Sequence, residues 1–88
     1  QLRQEEYVLV CTKNWEKRKL TEIIQHEYII DYNPDDQMTF NYLKHYGFFE
    51  YAQHERHFIN RTESLAAMIA AGYGYGLLTK EFCQPYLD

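Results

Sequence analysis

Three acids, two histidines, three alternate glycines and one Arg-Thr pair are the residues here whose spacing suits chemistry. Asp31, Asp35 and Asp36 fall within "DYNPDD", near enough for a carboxylate pair to share acid–base work. No nucleophile or positioned base accompanies them in sequence, and the helix dipole alone favours acids in a first helical turn. "HERH" sets His54 and His57 at i and i+3. The zinc-protease helix needs histidines at i and i+4 with a glutamate between, so this spacing is one residue short. The segment is expected to pass from helix to strand, aiming the two rings apart, and no metal is expected. "AAGYGYGLL" carries Gly72, Gly74 and Gly76. A dinucleotide loop must follow a strand and open a helix, so that free N–H groups meet the phosphates. Here the order is reversed, and Gly72 is expected to be a left-handed helix stop.

The elements that position these residues follow from the apolar pattern. "YVLVC", Tyr7 to Cys11, is a continuous apolar run, the mark of a strand covered on both faces. Leu20, Ile23 and Ile24 give a helical stripe, and "EYIID", Glu27 to Asp31, a second buried strand. "YNPDD" reads as an Asn33 cap with Pro34 at the first helical position and two acids in the first turn. That helix is expected to run to Tyr46 with Phe40 and Leu43 inward, stopped at Gly47. "RHFIN", Arg56 to Asn60, reads as a third strand, and "NRTE" as a capping box with Asn60 in the cap role. Leu65, Met68 and Ile69 mark the next helix; Tyr75 to Thr79 is the last strand, and "KEFCQPYL" begins a further helix.

Strands therefore alternate with helices along the whole chain, with no repeat. Alternation predicts one α/β domain: a three-layer, mainly parallel sheet with helices on both faces. Ligands bind such sheets beyond the carboxyl ends of strands, at helix N-termini. Two loops occupy those ends: Tyr32, Asn33, Pro34, Asp35 and Asp36, then Asn60, Arg61, Thr62 and Glu63. Arg61 and Thr62 suit a ligand carboxylate; Asp35 and Asp36 suit an ammonium or guanidinium group. Together they favour a zwitterionic or basic amino acid as the ligand. Nothing here assembles a catalytic machine, and no cofactor is expected.

Composition sets the outer bounds. Eighty-eight residues, 45% hydrophobic and 25% charged, fit a single globular domain. A net charge of −4 argues against a phosphate-tracking surface, despite the basic cluster of Lys13, Lys17, Arg18 and Lys19 beside Trp15. The longest apolar run is far short of a membrane span, and no signal peptide is read at Gln1. Cys11 and Cys83 lie far apart without a CxxC spacing and read as reduced structural thiols, which favours a cytoplasmic setting.

"FINRTESLAAMIAAGYGYGLLTKEFCQPYL" resembles the late effector-domain stretch of LysR-type transcriptional regulators, where a strand meets a polar cap and a helix–glycine–strand unit follows. "EEYVLVCTKNWEKRKLTEIIQHEYIIDYNPDD" is similar to the preceding run of that family. The likeness spans nearly all of the chain. It departs at Lys80, where proline is usual, and at "NWEKRKL", where His-Pro-Leu is common. The resemblance implies the second effector-binding subdomain of a bacterial regulator, one lobe of a type II periplasmic-binding-protein-like fold. It implies a small effector held between two lobes, homodimers or homotetramers of the whole regulator, and DNA contact only through an N-terminal helix-turn-helix that this segment does not contain. "DYNPDD" and "FINRTES" are similar to the branch that senses basic amino acids. The alternative is a lobe of an extracytoplasmic solute-binding protein, which shares the bilobed fold.

Overall fold

Ile29 and Ile30 are adjacent in one strand, so their side chains leave it in opposite directions and seed two cores. The computed structural model describes residues 6–87. Their order is β1 (Tyr7–Val10), α1 (Leu20–His26), β2 (Ile29–Asp31), α2 (Met38–His45), β3 (Arg56–Phe58), α3 (Thr62–Ala70), β4 (Gly76–Thr79) and α4 (Lys80–Leu87). Ile29 packs with Ile23 and Ile24 of α1, Leu43 of α2 and Tyr75. Ile30 packs with Leu65 and Ile69 of α3, Leu78 of β4 and Cys83 of α4. Helices therefore cover both faces, as the alternation predicts. Each fully buried Ile or Leu contributes roughly 1.5–3 kcal/mol to holding those faces down.

The strands form two small ladders: β2 pairs with β3 in parallel, and β1 with β4 antiparallel. A parallel bridge between Ile29 and Tyr75 joins them, giving the order β3-β2-β4-β1. The expected mainly parallel sheet is thus corrected to a mixed one. The rule that makes crossovers parallel governs strands joined through a helix to a neighbour, whereas β1 meets β4 from the far end of the chain. β1 is also an edge strand, half-buried throughout rather than covered on both faces. It ends at Val10, which leaves Cys11 exposed; Cys83 is buried, and both thiols are free. Cys11 is therefore not the buried strand residue that its apolar neighbours predict.

Both glycine stops are formed. Gly72 has φ +89°, its N–H donates to the Ile69 carbonyl, and the Tyr73 N–H donates to Met68. Gly47, at φ +79°, ends α2 with the same pair of bonds, from Gly47 to Lys44 and from Phe48 to Leu43. This paired closure satisfies carbonyls that a helix end leaves open. Gly74 and Gly76 have a different cause, which the helix-stop reading missed. A Cβ on Gly74 would lie 2.4 Å from the Tyr28 carbonyl oxygen, and one on Gly76 2.6 Å from that of Ile30. The chain of β2 runs too close there for any side chain.

Two helix starts differ from expectation. The Asn33 side chain accepts from the Asp35 N–H, and its carbonyl from the Asp36 N–H, closing a turn with Pro34 at its second position. That turn delays α2 to Met38, so neither Asp35 nor Asp36 lies in its first turn. At α3 the Ile59 N–H still bonds the Asp31 carbonyl, which keeps the chain extended one residue further. Arg61 then holds the cap position without a side-chain bond, and the Asn60 capping box does not form.

Candidate functional site

β2 and β4 both end at the edge where α3 begins, and Tyr32 is the first residue beyond β2. Its hydroxyl shares a 2.5 Å hydrogen bond with that of Thr62, the first residue of α3. The two loops predicted to bind a ligand are therefore tied together. Beside this tie lies an open cavity of about 590 Å³. Leu77, Leu78 and Phe82 supply its apolar wall; Tyr32, Arg61, Thr62 and Glu63 supply its polar side, and Tyr7 and Thr79 close it along β1 and β4.

The electrostatics of the polar side follow from α3. The first N–H groups of a helix have no carbonyl partner within it, and the dipole leaves them partly positive. Arg61 does not cap them with its side chain, and its guanidinium is exposed at the same edge. Glu63 adds one carboxylate to the first turn. The cavity thus pairs cationic and hydroxyl donors with one acid, over an apolar floor. Such a surface suits a small molecule with both a carboxylate and an amine.

Of the residues predicted for the site, Tyr32, Arg61 and Thr62 line the cavity; Asn33, Pro34, Asp35, Asp36 and Asn60 do not. Asp36 works inside its own loop, accepting from the Met38 N–H at 3.0 Å and the Tyr32 N–H at 3.4 Å. Asp35 is exposed on the turn. Asp31 is buried and takes a 2.6 Å hydrogen bond from Thr39 and a 3.0 Å ion pair from Arg56. Burial pushes its carboxyl above the ordinary value, against the pull of Thr39 and Arg56. It also faces Tyr75, whose phenol is raised by burial and by the Asp31 charge. Asp31 and Asp36 are thus each engaged by groups of their own surroundings, while Asp35 stands on the exposed turn.

The histidines go their separate ways. His54 stacks on Phe49 with ring centroids 4.3 Å apart, and His57 stacks on Tyr28 at 4.6 Å. Among the described residues no three His, Cys, Asp or Glu side chains converge on a metal position. Glu63, expected only as a member of the second loop, lines the cavity as well, and Arg56 is the residue that sequence reasoning passed over. A signal for Arg56 existed: Asp31 closes an apolar strand, and an acid taken out of water requires a charged or hydrogen-bonding partner.

No described helix is long and apolar enough to cross a membrane. Compared with protein families, curated proteins and solved structures, the chain gives no significant match.

Proposed function

We propose that this chain is the second effector-binding lobe of a LysR-type transcriptional regulator, one lobe of a type II periplasmic-binding-protein-like fold. It senses a small zwitterionic or basic amino acid. The observation that carries this reading is the Tyr32–Thr62 tie, which sets both ligand loops at the mouth of one cavity beside the uncapped start of α3. In this reading the ligand carboxylate meets the first N–H groups of α3, the Thr62 hydroxyl and Arg61. Its ammonium faces Glu63. The lobe supplies one wall of a cleft, and closure against the other lobe alters the geometry of a dimer or tetramer on DNA. No bond is made or broken in the ligand.

The test is calorimetry on the whole regulator with L-lysine, L-arginine and L-glutamate. Arg61→Ala and Thr62→Ala should each weaken the bound amino acid by about 1.5–3 kcal/mol, the usual worth of a hydrogen bond to a charged group. Unchanged affinity in both variants contradicts the assignment. A leader peptide upstream in the gene would instead favour a solute-binding protein.

A further inference from the structure

Arg56 makes three side-chain hydrogen bonds and lies over two aromatic rings, and the proposed binding chemistry uses none of these contacts. One guanidinium nitrogen bonds Asp31 at 3.0 Å and the Asp36 carbonyl at 2.7 Å. A second bonds the Pro34 carbonyl at 3.0 Å. The plane is flanked by the Phe40 ring at 4.4 Å and the Phe58 ring at 4.9 Å. Three of these partners, Pro34, Asp36 and Asp31, bracket Tyr32 in the chain. We infer that Arg56 is a positioning residue: it clamps the turn after β2 and so sets the Tyr32 hydroxyl against Thr62 at the cavity mouth.

Two considerations support this assignment over a role in stability alone. A buried ion pair contributes little net stability, because desolvating both charges offsets their attraction. What it does supply is a fixed geometry, and the planar fork of arginine grips two carbonyls and a carboxylate at once. Asp31 is anchored independently by Thr39 of α2, so the clamp is referenced to the core rather than to the loop it holds. Only an arginine satisfies all three acceptors; a lysine ammonium keeps a charge near Asp31 but loses the fork.

The inference rests on the reading of this cavity as the ligand site, yet its test needs no ligand, so the two fail separately. The chain is labelled with 13C at the tyrosine ring carbon bearing the hydroxyl, and Tyr32→Phe assigns the Tyr32 resonance. Thr62→Ala should move that resonance, reporting loss of the shared hydrogen bond. Arg56→Lys should move it to the Thr62→Ala position while the methyl signals of Ile24 and Leu43 stay in place. A Tyr32 resonance at its wild-type position in Arg56→Lys, or one that Thr62→Ala does not move, overturns the proposal. Should Arg56→Lys fail to fold, Phe58→Ala strips a partly exposed ring from the guanidinium and must move the same resonance in the same direction. An unmoved resonance there also overturns it.

Discussion

The Tyr75 hydroxyl is buried without a hydrogen-bond partner among the described residues, while its ring fills the core beneath α1 and α2. A buried donor left unpaired costs about 1–3 kcal/mol, so removing the oxygen while keeping the ring should help. Tyr75→Phe is expected to raise stability by about 1 kcal/mol in urea unfolding. A loss of that size would mean that the hydroxyl has a partner in solution. Burial disfavours the Tyr75 phenolate, and the Asp31 charge makes it still less favourable. At this scale the site was partly legible in sequence. Thr62 and Arg61 follow a strand and open a helix, and that order is enough to place them at the sheet's binding edge. Asp36 misled because its carboxylate oxygens serve two N–H groups of its own loop, a local contest that composition does not reveal.

Glycines separate two kinds of constraint at the level of elements. At Gly47 nothing lies within 4 Å of an added Cβ, so only the left-handed backbone resists substitution. Gly47→Ala should cost about 1–2 kcal/mol on that ground. Gly72→Val should cost more than about 1 kcal/mol, because a β-branched residue is a genuine outlier at positive φ. Gly74→Ala meets the Tyr28 carbonyl at 2.4 Å and must force β2 and the chain before β4 apart. Its cost should exceed that of Gly47→Ala, measured by denaturant midpoints at equal slope. Equal costs would contradict the close-approach account. The helix stops were readable because a glycine after an apolar stripe has one common backbone use. The packing role of Gly74 and Gly76 was not, since it depends on which strand lies alongside. The start of α2 was missed for a similar reason: "NPDD" serves either a helix cap or a free turn, and Asn33 closes the turn.

Over the whole molecule, alternation of strand and helix was sufficient to predict two covered faces, because Ile29 and Ile30 must each find a helical partner. Strand order was not predictable, since β1 and β4 pair across most of the chain and no local pattern encodes that meeting. The net charge of −4 also acts at this scale. Duplex DNA binding requires several phosphate contacts and falls steeply with salt, so the isolated chain should give no anisotropy change with duplex DNA at moderate salt. Salt-dependent binding at micromolar concentration or tighter would contradict a sensing lobe that leaves DNA to another domain. In the proposed reading one wall of a cleft covers one side of a ligand, so the chain alone should hold an amino acid weakly. Weak binding is well suited to titration followed by amide NMR. The 15N-labelled chain is titrated with L-lysine, L-arginine and L-glutamate, with n-butylamine as a control lacking the carboxylate. Saturable shifts of the Tyr32, Thr62, Glu63 and Ser64 amides are expected with at least one amino acid and none with butylamine. Unmoved amides at α3 with all three amino acids, or shifts confined to the α2 face, would contradict it.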